Sequence, residues 1–236
     1  MTFCMMVKLI FIVIILFLLY LFSRLRPAAT QIIEENIYAV RCGFVNFYAV
    51  RTSAGILLFD SGASPAMAKR GLHKLDISLS DVSHIFLTHT DIDHAGGIKA
   101  FPNAITNISI KEEKMIDGST ARRGPIYNRK ISGYQTLEDS ETVVIGDTAI
   151  ELRLTPGHTA GSAIYIIGRD VFVTGDLLWY SRRGKIFPCI WYMNMDNKLE
   201  EQSAKAALDA VKDARLVLTG HTGIQIKSIV FMNVSS

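Results

Sequence analysis

One stretch constrains this chain more than any other: Thr88-His89-Thr90-Asp91-Ile92-Asp93-His94. It places four imidazole or carboxylate side chains (His89, Asp91, Asp93, His94) within six residues, directly after Val82–Thr88, which reads as a buried strand. A regular strand sends successive side chains to opposite faces, so the four converge only if the chain leaves the strand and turns. Imidazole nitrogen combined with hard carboxylate oxygen suits zinc, iron or manganese. The fold must therefore end a buried strand at a polar edge.

Three later positions repeat that pattern. His158 lies in Thr155-Pro156-Gly157-His158-Thr159-Ala160-Gly161-Ser162, Asp176 in Thr174-Gly175-Asp176, and His221 in Thr219-Gly220-His221. Each follows an apolar strand and is preceded by a glycine that lets the backbone turn sharply. Of the six histidines, four occupy these places, while His73 on a charged helix and His84 inside a strand are read as packing or solvent-facing. A lone Gly-His or Gly-Asp is commonplace, but this succession at strand ends reads as one metal site.

The surrounding pattern is strand-rich. Ile37–Val40, Val45–Arg51, Gly55–Phe59, Thr142–Ile145, Ile150–Thr155, Ala163–Ile167, Val171–Thr174 and Leu216–Leu218 read as strands between turn residues. Pro65 to Lys74 and Lys198 to Asp213 read as helices, and Ala95-Gly96-Gly97 is expected to open another. Strand-rich halves with interspersed helices imply two sheets between helices.

At 236 residues, 49% hydrophobic and 20% charged, the chain suits one domain, or one domain plus an appendage, and is no disordered, collagen-like or coiled-coil chain. A net charge of +3 does not argue for nucleic acid. Cys4, Cys42 and Cys189 provide neither a disulfide framework nor a CxxC zinc site. Phe3 to Phe22 is apolar apart from Lys8, enough to span a bilayer, so residues 3–22 are expected to anchor the chain as a single-pass membrane helix. A cleaved signal peptide fits less well, because Arg24, Arg26 and Pro27 occupy the cleavage region without an A-x-A pattern. The expected division is an anchor at 1–26, a linker at 27–35 and a catalytic domain at 36–236. Arg24 and Arg26 lean toward a cytoplasmic domain, while Lys8 and the amino terminus oppose that, leaving the side open.

From Ile37 to His221 the chain resembles the metallo-β-lactamase-fold hydrolases. The likeness rests on the Asp60-Ser61-Gly62 turn, the His-x-Asp-x-Asp-His loop at 89–94, the Thr-Pro-Gly-His-Thr-x-Gly segment at 155–161, and the later Gly-Asp and Gly-His sites. The resemblance implies a mixed α/β fold, a four-layer αββα sandwich with metals at one edge of the sheets, here preceded by one hydrophobic helix. It implies that His89, Asp91 and His158 hold a first metal, that Asp93, His94 and His221 hold a second, and that Asp176 bridges both. The family usually has histidine where this chain has Asp91, and a carboxylate there hardens the site toward Mn²⁺ relative to Zn²⁺. The cofactor expectation is two divalent ions, zinc first, with manganese or iron as alternatives. Two adjacent cations would lower the pKa of a water toward roughly 7, giving a bridging hydroxide that attacks an ester, thioester, lactone or phosphodiester. Asp93 would orient that nucleophile and pass its proton on, while Asp60 reads as structural, fixing the loop through hydrogen bonds.

Two insertions flank these residues. One, at 117–135, carries Arg122, Arg123, Arg129 and Lys130; the other, at 177–195, carries Arg182, Arg183 and Lys185 among Trp179, Tyr180, Phe187, Trp191 and Tyr192. They either grip an anionic, partly apolar small-molecule or ester substrate, or rest on anionic headgroups with the aromatics in the core. A nucleic-acid groove lacks a repeated aromatic platform. A catalytically silent metal- or partner-binding module competes with the hydrolase reading on the strength of Asp91, and a di-iron oxidoreductase comes third. Only fifteen residues follow His221, so a large C-terminal substrate domain, and with it glyoxalase II activity, is not expected.

Overall fold

Runs of β-branched and aromatic residues, broken by glycines and polar pairs, give the chain two sheets. The computed structural model describes residues 3–181, 183–189 and 191–226, without the side chains of residues 3, 4, 14, 17, 18, 21, 22 and 191. Arg182, the Trp191 side chain and the tail beyond 226, all named above, lie outside the described residues.

Helix α1 (Phe3–Arg24) precedes strands β1 (Gln31–Glu34), β2 (Ile37–Cys42), β3 (Val45–Thr52) and β4 (Gly55–Phe59), helix α2 (Pro65–His73) and strand β5 (Val82–Phe86). Short helix α3 (Ile92–Ala95), β6 (Ile105–Ser109), short helix α4 (Glu113–Ile116) and β7 (Tyr134–Leu137) complete the first half. The second half contains β8 (Thr142–Ile145), β9 (Thr148–Leu154), β10 (Ala163–Ile167) and β11 (Val171–Gly175). A hairpin of β12 (Leu178–Tyr180) and β13 (Ile186–Pro188), helix α5 (Asn197–Val211), β14 (Leu216–Thr219) and β15 (Gly223–Ile226) follow.

The first sheet has the order β1-β2-β3-β4-β5-β6-β7 and the second β15-β14-β11-β10-β9-β8. In the first, β4, β5, β6 and β7 run parallel; in the second, β11 and β14 do. Three apolar clusters hold these elements. One face of the first sheet (Val40, Phe47, Leu58) packs on Ala68 and Leu72 of α2. Its other face (Tyr48, Phe59, Phe86) meets Leu152, Tyr165 and Val173 of the second sheet. The far side of the second sheet (Ile164, Phe172, Val217) meets Ala204, Ala207 and Val211 of α5. Each fully buried Leu or Phe contributes roughly 1.5–3 kcal/mol. Ser64 and Asp196 start α2 and α5 by accepting from the backbone N–H groups of Met67 and Leu199.

The structure differs from expectation where local signals are weak. The helix expected at Ala95 starts at Ile92 instead, because the Asp91 carbonyl accepts from the N–H groups of both His94 and Ala95. Residues 31–34, within the expected linker, form β1 against β2. Just before it, Arg26 donates its backbone N–H to the His221 carbonyl and Ala28 donates to Asn46 Oδ1.

The expected membrane anchor at residues 3–22 is corrected. Helix α1 forms, yet among the described residues no helix is long and apolar enough to cross a membrane. A span needs about twenty consecutive apolar residues, and no described helix supplies them. The membrane as a partner, the single-pass placement and the cytoplasmic lean fall with it.

Candidate metal centre

Parallel strands end on one side of each sheet, and the sequence places its polar residues just beyond those ends. Beyond β4 and β5 lie Asp60 and the 88–94 stretch; beyond β11 and β14 lie Asp176 and His221; His158 sits in the turn between β9 and β10. Two glycines permit the convergence. Gly175 takes a positive φ of 51° at the exit of β11. At Gly220 the reason is space: a Cβ there would fall 2.7 Å from Asp176 Oδ1 and 2.8 Å from His94 Cε1.

The structure brings the seven metal-site side chains named from the sequence to one place, six of them in two groups and Asp91 beside the first. His89, His158 and Asp176 each present a donor atom within 4.8 Å of the others, as do Asp93, His94 and His221. Asp176 joins the groups. Its Oδ1 lies 3.2 Å from both His94 Nε2 and His221 Nε2, while its Oδ2 lies 3.4 Å from His158 Nε2. Asp93 Oδ2 is 3.3 Å from His221 Nε2 and 3.8 Å from His94 Nε2. Asp91 Oδ2 is 3.3 Å from His158 Nε2 and 3.7 Å from His89 Nε2. Donors held about 2.1 Å from a tetrahedral ion lie about 3.4 Å from one another, which is the spacing seen here.

The histidines are oriented from behind. His94 Nδ1 faces Asp60 Oδ2 at 2.7 Å, His158 Nδ1 faces Asn194 Oδ1 at 3.1 Å, and His221 Nδ1 faces the Phe44 carbonyl at 2.9 Å. His89 Nδ1 lies 3.1 Å from Thr88 Oγ1, whose own proton goes to Asp60. Every Nδ1 therefore faces an acceptor, and in the neutral ring the Nε2 lone pair points inward, as ligating histidines require. Buried His89 Nε2, His94 Nε2 and Asp176 Oδ1 have no hydrogen-bond partner. Orphaned atoms of this kind are costly unless something fills the space between them. The donor set and the orphans together fit divalent metal.

Without a metal, the charges compensate one another. Burial pushes the His221 imidazole down, but Asp176 and Asp93 outweigh it and raise it to about 10. His94 is likewise depressed by burial and lifted well above its ordinary range by Asp176, Asp60 and Asp93. His89, buried beside His94, falls well below its ordinary value. Burial would raise the Asp91 carboxyl, yet His158, His89 and Arg122 hold it well below the usual carboxylate range.

Several supporting residues carried no sequence signal. Glu112 is buried and accepts from Thr90 N, Thr90 Oγ1, Thr159 Oγ1 and Gly161 N at 2.8–3.0 Å, tying the 89–94 segment to the His158 turn. Glu200, at the start of α5, accepts from His158 N and is raised by burial to about 7. Asn194 and the Phe44 carbonyl are equally unmarked. Trp179 and Tyr180 are core residues, Trp179 donating to the Asp176 carbonyl at 3.1 Å. Of the basic residues in the first insertion, Arg122 binds Asp91, and Arg123 donates to the Tyr192 carbonyl.

The chain belongs to the metallo-β-lactamase superfamily, whose family model matches residues 40–226. A probable metallo-hydrolase of Methanocaldococcus jannaschii is 31% identical over 159 residues, covering 67% of this chain and 66% of that protein. A probable zinc-dependent hydrolase of polyketide biosynthesis from Bacillus subtilis is 29% identical over 112 residues, 46% of each chain. Among solved structures, a metallo-β-lactamase of Cronobacter sakazakii superposes with a TM-score of 0.65 at 21% identity, covering 85% of this chain and 81% of that one. At that identity the likeness speaks for the fold alone. The chain spans about half to two thirds of the length of the curated relatives it matches. The relatives' names support a hydrolase of this superfamily and a divalent metal as its cofactor class.

Proposed function

We propose that the chain is a metal-dependent hydrolase working through two divalent ions, zinc first, at the groups Asp176 joins. The observation that carries this reading is Asp176 itself, one of whose oxygens faces His94 and His221 and the other His158. In this reading His89, Asp91 and His158 would hold the first ion and Asp93, His94 and His221 the second, with Asp176 available to both. The helix-sheet-sheet-helix order of the three apolar clusters supports the four-layer αββα sandwich. The hydrolase unit proposed at 36–236 extends back to Arg26, whose backbone bonds to His221.

When bound, the ions supply Lewis acidity and lower the pKa of water by several units. The chain's own residues do the rest. Asp93 is about one-fifth exposed and is kept ionised by His94 and His221 against the effect of burial, so it faces the substrate side as a carboxylate that orients the nucleophile and relays its proton to a leaving group. Phe44 stacks on His221 at 5.9 Å and stays 41% exposed, and exposed Ile92 sits between Asp91 and Asp93. These apolar surfaces favour a substrate with an apolar acyl part, an ester, thioester or lactone, ahead of a phosphodiester.

The test is turnover of an ester, thioester, lactone and phosphodiester panel by zinc- or manganese-loaded and by chelated protein. Metal-dependent turnover lost in a His89→Ala/Asp93→Ala double variant supports the reading; full activity in that variant refutes it. One observation favours a silent module instead, the Arg122 side chain already seated on Asp91 and His158, and absence of turnover in the loaded protein would establish that alternative.

A further inference from the structure

Arg122 belongs to the insertion between α4 and β7, and its side chain is only 11% exposed. Its Nε donates to Asp91 Oδ1 at 2.8 Å and to Asp91 Oδ2 at 3.0 Å. Its Nη2 donates to the Met193 carbonyl at 2.7 Å and lies 3.1 Å from His158 Nε2. His158 Nδ1 faces the side-chain Oδ1 of Asn194, so in the neutral ring Nε2 carries the lone pair, and the guanidinium points an N–H at it. That lone pair is the one a metal in the first position would need. His89 Nε2 beside it stays without a partner, as do His94 Nε2 and Asp176 Oδ1. At the first position, then, two of the donors, Asp91 and His158, are already engaged, and by a permanent cation.

The position is built rather than incidental. Asn128, from the same insertion, donates to Asp91 Oδ1 at 3.1 Å and to Thr90 Oγ1 at 2.9 Å. Arg123 donates to the Tyr192 carbonyl, and Nη2 of the same residue lies 3.5 Å from the Asn194 carbonyl, so the insertion is fastened to the segment that orients His158. Among the described residues, no arginine pairs with Asp93, His94 or His221 of the second group.

We propose that Arg122 is a tethered cation that competes with metal for the first position, so that the chain holds one ion tightly at Asp93, His94 and His221 and a second one weakly and exchangeably. This deepens the two-ion reading above and rests on it. Aspartate at position 91 and arginine at 122 form one device: the carboxylate holds the guanidinium by opposite charge, which a neutral imidazole at that position would not supply. A divalent ion entering the first position must break the contact to His158 and then endure a fixed positive charge next to it.

Zinc titration of the full chain against a chromophoric chelator tests this, with bound zinc counted by elemental analysis after gel filtration. The native chain is expected to retain one equivalent and to take the second about tenfold or more weakly. Arg122→Met should tighten the second equivalent by about tenfold or more and leave the first unchanged. Arg122→Lys, which keeps the charge, should stay near the native pattern, and this variant guards against a loss of folding in the methionine form. Cobalt(II) provides an independent readout, since a second set of visible absorption bands should appear at lower cobalt in Arg122→Met. Two equally tight ions in the native chain, or an unchanged or weakened second equivalent in a folded Arg122→Met, overturns the proposal while leaving the hydrolase reading intact. A native chain that binds no zinc at all overturns both.

Discussion

The Asp60 carboxylate lies 2.7 Å from His94 Nδ1 and also accepts the Thr88 hydroxyl and backbone N–H. Asp60 does this from a left-handed backbone conformation, φ 63°, which aspartate tolerates better than most residues. One buried carboxylate thus fixes His94 directly and, through the Thr88 hydroxyl, orients His89. Asp60→Ala removes the acceptor from both histidines' supports. Metal affinity should fall about 10–100-fold, and stability should drop by about 3–5 kcal/mol because partners are left buried and unpaired. Zinc titration and urea unfolding measure the two effects. Unchanged zinc affinity would show that His94 is oriented by something else.

Gly220 makes a sharper test because it touches no hydrogen bond of the site through a side chain. A methyl group at this position meets Asp176 Oδ1 and His94 Cε1 at distances no real contact allows, 2.7 and 2.8 Å. Gly220→Ala should therefore keep the far-UV circular dichroism spectrum of the native chain while reducing zinc affinity by about tenfold or more, since ligand geometry tolerates only small displacements. A variant that binds zinc normally would mean the two side chains can move aside, and the site is looser than its packing implies.

Much of this site is legible in the sequence, Asp60 among its supports included, and the other supports are not. A short cluster such as 89–94 directly after an apolar strand can be read because both the strand and the donors are local. The same is true of Asp176 and His221, each one residue past a strand and a glycine. Glu112 cannot be read so: it lies among Lys111, Glu113 and Lys114, an ordinary charged stretch, and only the tertiary approach of Thr159 and Gly161 buries it. Strands β1, β6 and β7 escape for a related reason. Gln31–Glu34, Ile105–Ser109 and Tyr134–Leu137 are short and partly polar, and become strands by pairing with neighbours distant in sequence. Arg122 stands out as basic in sequence, but nothing local says that it turns inward to Asp91. The apolar amino-terminal stretch misled in the opposite direction, its composition suggesting a span that the described helix does not supply.

Glu112 itself yields a stability prediction. Its carboxylate is the shared acceptor for four donors from the 89–94 segment and the His158 turn. Glu112→Ala leaves those donors buried and unpaired, each worth about 1–3 kcal/mol when unsatisfied. Water entering the vacated space recovers part of that, so a net loss of about 3 kcal/mol or more is expected in chemical denaturation. Glu112→Gln keeps the shape but turns one acceptor into a donor facing other donors, so it should recover less than half of the loss. A near-native glutamine variant would mean that one of the two oxygens carries almost all of the bonding.

His221 links metal to pH. In the metal-free chain its pKa is raised to about 10 by Asp176 and Asp93, against burial, so at pH 7 the ring carries a proton. Imidazole must be neutral to ligate. Zinc uptake at pH 7 should therefore release about one proton or more per ion, readable as buffer-dependent heat in isothermal titration calorimetry. The sign for stability follows from linkage. A raised folded-state pKa stabilises the metal-free fold fully below the ordinary value of 6.5, and that contribution is lost as pH rises through about 10. With chelator present, the melting temperature should fall over that window. With zinc present the trend should reverse in its lower part, because deprotonation strengthens binding and bound metal favours the folded state. Parallel pH profiles with and without zinc would mean that His221 does not exchange its proton for the ion.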